Sequence, residues 1–124
     1  MTVWEAIAKV DDLKPNQYDT NTKIGWLSKL DGQIYVEVIS THEDKQAESF
    51  SGNYFSDQNA QLLVPHPFDE DLYVYFLQAQ IDKENGETAK YNQSITLYNN
   101  AFLQYQSWYN RTHMPAAAGQ RFLF

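Results

Sequence analysis

At 124 residues, 43% of them hydrophobic, the chain suits one domain with one core, and without cysteine it can build neither a disulfide framework nor a thiolate site. A net charge of −7 argues against wrapping nucleic acid, whose phosphates need a basic surface, so no sequence-specific nucleic-acid binding is expected. No stretch approaches the roughly 18–20 apolar residues of a membrane helix, and MTVWEAIAKVDDL lacks the basic start and apolar run of a signal peptide, so the expected setting is a cytosol-like compartment with no membrane.

Val3 to Leu13 reads as a first helix, with Trp4, Ile7, Ala8, Val10 and Leu13 as a rough apolar stripe, stopped by Pro15. A second helix is predicted from about Thr20 to Thr41, capped by Thr20, Asn21 or Thr22. Ile24, Leu27, Leu30, Ile34 and Val38 fall on one helical face, which Trp26, Tyr35 and Ile39 widen. Gly25 and Gly32 each cost this helix about 1 kcal/mol relative to Ala, unless Gly32 marks a kink or a close approach by a neighbour. Residues 43–67 lose the helical period. Gly52-Asn53 signals a turn, Ser49-Phe50 and Tyr54-Phe55 can flank a small hairpin, and Leu62-Leu63-Val64 reads as a short strand. A third helix is predicted from Phe68 to about Asn85, with Asp69, Glu70 and Asp71 in its first turn, Leu72, Phe76, Leu77 and Ile81 on its apolar face, and Gly86 as a left-handed cap. The fourth, from Glu87 to about Thr112, carries Tyr91, Ile95, Tyr98, Phe102, Tyr105 and Tyr109 at alternating spacings of four and three, broadened by Leu97, Ala101 and Trp108. The short Asn85-Gly86 punctuation implies an antiparallel hairpin of the last two helices. The expected fold is therefore mainly α: one domain over 1–124, four helices ending in a long C-terminal helical hairpin, a small β-hairpin or extended loop insertion around 43–67, and an apolar tail over 114–124.

Catalytic chemistry finds little support. His42, His66 and His113 sit at helix ends or between prolines, and no pair has the i, i+4 spacing of a metal site. Asp69-Glu70-Asp71 reads as an acidic first turn favoured by the dipole, and Asp11-Asp12 as a solvated helix end. GxSxG, P-loop, GxGxxG and HExxH motifs are absent. We therefore expect no enzyme, no catalytic or metal residues and no cofactor.

The charge distribution points elsewhere. Every acid lies at or before Glu87, and from Tyr91 onward only Arg111 and Arg121 are charged. A helix wetted on all sides normally carries more charge, so the aromatic, uncharged C-terminal third reads as covered, either within the chain or between chains. The acidic first part reads as the solvated side. Candidate contact residues are Phe50, Tyr54 and Phe55 in the insertion, Tyr105, Trp108, Tyr109 and Arg111 late in the fourth helix, and Phe122, Leu123 and Phe124 in the tail.

The segments TNTKIGWLSKLDGQIYVEVISTHE (20–43), LLVPHPFDEDLYVYFLQAQIDKENGETAKYNQSITLYNNAF (62–102) and WYNRTHMP (108–115), roughly 70 of the 124 positions, resemble small proteins of tailed-phage and prophage head-gene clusters, the head–tail connector (adaptor, head-completion) family. The resemblance implies a helical subunit with a small β element or extended loop. Such subunits form a ring homo-oligomer, usually taken to be twelvefold, between the portal protein and the next neck or tail-completion protein. It implies no catalytic residues, assembly in the host cytoplasm and a final place in the virion neck. An acidic balance suits a channel that DNA must traverse without sticking, since acids repel phosphate. The alternative reading is a small phage-encoded regulatory binder or inhibitor of a host protein, which acidity and exposed aromatics would also serve. A pull-down from infected cells separates the two, host partners replacing virion ones.

Overall fold

The computed structural model describes residues 1–38 and 60–112, and these form a mainly helical domain of four helices. The expected hairpin around Phe50 and Tyr54-Phe55, the end of the second helix over 39–41 and the apolar tail lie outside the described residues.

Helix α1 (Val3–Leu13) opens with a capping box: the Thr2 hydroxyl accepts from the Glu5 N–H, and the Glu5 carboxylate accepts from the Thr2 N–H. Its buried stripe is Val3, Ala6, Ile7 and Val10. This corrects the stripe expected through Trp4, Ala8 and Leu13, all of which point outward. One position along a helix is about 100° of rotation, and the smaller Val3 and Ala6 sit against the core while the indole of Trp4 is turned away.

Asn16 ties down the connection to α2 (Thr20–Glu37). Its amide donates to the Asp11 carboxylate and the Lys14 carbonyl, and its oxygen accepts from the Tyr18 N–H. The cap of α2 is Asp19, not Thr20, Asn21 or Thr22. Its carboxylate accepts from the Thr22 N–H at 2.8 Å, and that bond holds its pKa below the ordinary value. Ile24, Leu27, Leu30, Ile34 and Val38 are all buried, as their spacing predicts. Gly32 meets no close neighbour: a Cβ built there finds nothing within 4 Å. We expect Gly32→Ala to stabilise the fold by about 0.5–1 kcal/mol in urea denaturation, since it lowers the entropy of the unfolded chain and suits a helix.

Residues 60–64 return along the start of α1. The Val3 N–H donates to the Ala60 carbonyl, the Leu62 N–H to the Met1 carbonyl, and Thr2 and Gln61 form an isolated antiparallel bridge. Leu62 and Val64 are buried, but the expected Leu62–Val64 strand does not form; the Leu63 and Val64 N–H groups are taken by side chains, described below.

Helix α3 (Asp69–Asn85) is the hub of the fold and packs closely against each of the other three helices. Leu72, Tyr73, Val74, Leu77, Ala79 and Ile81 are buried on several of its sides for that reason. Phe68 precedes the helix instead of opening it. Gly86 takes the left-handed conformation (φ 75°) and its N–H caps the carbonyls of Asp82 and Lys83. Here a Cβ again meets no atom, but the backbone angle is disfavoured, so Gly86→Ala should cost about 1 kcal/mol, the opposite sign from Gly32→Ala in the same urea series.

Helix α4 (Thr88–Thr112) runs back along α3. Ser94 meets Asp82, Tyr98 meets Phe76, and Trp108 meets Phe68, so the two helices are antiparallel as expected. The deepest line on α4 is Ser94, Ala101, Tyr105 and Tyr109. Of the expected aromatic seam only Tyr105 and Tyr109 are fully buried; Tyr91, Ile95, Tyr98 and Phe102 are half-buried and Leu97 is exposed. Small side chains at Ser94 and Ala101 allow close approach to α3, and the rings pack beside that contact line.

Candidate functional site

Among the described residues three aspartates are buried, against the expectation that the acidic part is simply solvated. Asp31 lies in the apolar face of α2, fully buried. Its carboxylate accepts from the Tyr73 hydroxyl of α3 and from the Leu63 N–H at 2.9 Å, while the Tyr73 oxygen accepts from the Val64 N–H at 2.9 Å. The cluster pins the 60–64 segment across α2 and α3. Asp82, also fully buried, accepts from the Lys14 ammonium and the Ser94 hydroxyl, tying the end of α1 and the start of α4 to α3. Lys23, nearly buried, reaches Asp11 at 2.6 Å. These pairs join elements distant in sequence; each carboxylate is engaged in holding helices together.

Asp69 completes the set. It is not the solvated acid of a helix first turn: its carboxylate takes the Met1 ammonium at 2.9 Å and the Glu70 N–H at 2.8 Å. Burial pushes its pKa up, but the ammonium and the N–H outweigh it and hold the group below the ordinary 3.8. A lowered carboxylate contributes stability above the unfolded-state pKa and loses it as pH falls through the folded value. Below about pH 4 the wild type should therefore lose stability more steeply than Asp69→Asn, which is checked by urea midpoints from pH 6 to pH 2.

The outer surface offers no enclosed cavity suited to catalysis among the described residues. Its concavities include a shallow one on α1 beside Trp4, Glu5, Ala8, Lys9, Asp11 and Asp12, another of about 400 Å³ between Phe68 and the last turns of α4, lined by Leu103, Gln104, Ser107 and Arg111, and a less open one of about 310 Å³ between α2 and α3, lined by Trp26, Lys29, Gln33, Phe76 and Gln80. Among these residues no group of three His, Asp or Glu gathers where a metal could be held. His66 is exposed, 3.6 Å from Asp69; His42 and His113 lie outside the described residues. No described helix is long and apolar enough to cross a membrane.

The most distinctive surface is the outer face of α4. From Tyr91 to Asn110 the helix has no charged residue, yet Asn92, Gln93, Thr96, Leu97, Asn99, Asn100, Leu103, Gln104, Ser107 and Asn110 are exposed. Among the described residues α4 packs closely against α3 alone, so this face has no helical partner among them. Leu97 and Leu103, 39% and 57% exposed, stand on it.

The candidate contact residues divide. Tyr105 and Tyr109 are buried within this chain, packed on each other and on Trp108, and Tyr105 also on Phe68, so in this form they offer no area to a partner. Burial raises the pKa of the Tyr105 and Tyr98 hydroxyls, the latter to about 12, so both stay neutral at physiological pH. Trp108 is half-buried and Arg111 exposed. Phe50, Tyr54, Phe55, Phe122, Leu123 and Phe124 lie outside the described residues. Sequence reasoning missed Trp4 and Leu103 as exposed apolar side chains. The available signal for Leu103 was its place off the aromatic seam, among Asn, Gln and Ser.

No family model, curated protein or solved structure matches the chain.

Proposed function

We propose that the chain is a virion structural protein: a subunit of a ring-shaped head–tail connector that contacts its own copies, the portal protein and the next neck or tail-completion protein. The single observation that carries the assembly part is the uncharged, solvent-facing side of α4 on a chain of net charge −7. Acidic copies repel wherever their carboxylates face one another, and a long face without charge is where they can meet at least electrostatic cost. The connector identity rests on the resemblance of residues 20–43, 62–102 and 108–115. The mainly helical fold with a hairpin of its last two helices agrees with that outline.

The decisive experiment is quantitative mass spectrometry of purified particles, paired with a pull-down on the portal protein. The expected result is a fixed, ring-like copy number per particle and retention by portal. A chain absent from particles and captured only with host proteins would replace this reading by that of a host-directed binder.

A further inference from the structure

Two open features of one molecule are complementary. On α1, Trp4 is 51% exposed and stands beside Glu5, Ala8 and Asp12, all exposed. The cations nearest these acids are engaged within the chain: Lys9 pairs with Glu70, and Lys23 with Asp11. At the far end of α4 lies the groove of about 400 Å³, formed by Phe68 and Leu103 with Gln104, Ser107 and Arg111 around them. Helix α4 carries Lys90 and Arg111 and no acid, whereas α1 carries Glu5, Asp11 and Asp12 against Lys9. Among the described residues α1 and α4 do not pack against each other, so both features are open on the same molecule at once.

We propose that Trp4 of one copy seats in the Phe68–Leu103–Arg111 groove of a second copy, joining α1 of one molecule to α4 of the next. The occupant follows from the chemistry of the groove. Phe68 and Leu103 supply the apolar floor an indole buries against, and Gln104 and Ser107 supply acceptors for its N–H, which needs a partner once desolvated. Arg111 can lie over the ring face, and the exposed Glu5 next to Trp4 gives that guanidinium a carboxylate. The contact uses two different surfaces. It is therefore heterologous, leaves each copy able to bind one neighbour on either side, and closes into a ring if the rotation allows. It rests on the reading that copies of this chain assemble, and names the surfaces they use.

The absence of cysteine makes the test direct. Ala8→Cys places a thiol one turn from Trp4, and Ser107→Cys places one at the groove rim; both positions are exposed. The two variants, with unchanged circular dichroism, are mixed at high concentration with a short bismaleimide. Expected is a cross-link in the mixture, little in either variant alone, and a ladder of multimers from the double variant. Trp4→Ala in the same background should cut the yield at least roughly tenfold, and so should Arg111→Glu. Strong homodimer cross-links from one variant alone would mean a symmetric contact and overturn the proposal. So would a yield indifferent to Trp4→Ala, no cross-link at all, or an internal cross-link in Leu103→Cys/Phe122→Cys that shows the chain's own tail in the groove. If the cross-link fails while the chain still co-purifies with portal, the pairing of surfaces is wrong and the connector reading stands.

Discussion

Replacing Asp31 by Ala is expected to lower folding stability by about 3–5 kcal/mol and the melting temperature by roughly 12–20 °C. The carboxylate is fully buried in the middle of the apolar face of α2, and removing it strands the part-buried Leu63 N–H and the buried Tyr73 hydroxyl. Each stranded donor costs about 1–3 kcal/mol, and the lost volume adds to that. Tyr73→Phe should cost about half as much. It removes the acceptor of the Val64 N–H and one donor to Asp31, but leaves the Leu63 bond. Because both changes act on one network, their effects in the double variant should fall well short of additive. Urea denaturation of the four proteins in this cycle is the check; a loss below about 1 kcal/mol for Asp31→Ala would show that the cluster does not anchor the 60–64 segment.

Tyr105→Ala is the second large effect, and it separates folding from assembly. Tyr105 is buried between α3 and α4 and packs on Phe68, Trp108 and Tyr109, so truncation should cost about 3–5 kcal/mol. Leu103, two positions earlier, is 57% exposed, and Leu103→Asp should change stability by no more than about 0.5 kcal/mol. In native mass spectrometry the two should reverse rank: the Leu103 variant stays folded and fails to associate, while any loss of association in the Tyr105 variant tracks its unfolding. Similar folding losses for both would mean that Leu103 is packed within the chain.

The contrast shows what spacing alone can reveal. The second helix was legible because Ile24, Leu27, Leu30, Ile34 and Val38 leave one choice of face, and all five are buried. Helix boundaries at Leu13 and Asn85 were legible from Pro15 and Gly86. The face of α1 was not, since stripes through Val3 or Trp4 share Ile7 and Val10, and only the position of α3 selects between them. On α4, counting rings overlooked the contact line through Ser94 and Ala101, which lies where side chains are small. The buried aspartates escaped because their partners are remote: Tyr73 is 42 positions from Asp31, and Lys14 is 68 from Asp82. The uncharged run from Tyr91 to Asn110 is plain in the sequence, but its division into buried rings and exposed Leu97 and Leu103 needed the packing of α3.

In the proposed assembly, copies of the chain meet through the open face of α4. Native mass spectrometry of the wild type and of Leu97→Asp/Leu103→Asp, each mixed with portal protein, tests it most directly. The expected result is one discrete ring-sized complex from the wild type and only free, normally folded subunit from the double variant. A double variant that assembles as well as the wild type, or a folded wild type that remains monomeric in the presence of portal, would contradict it.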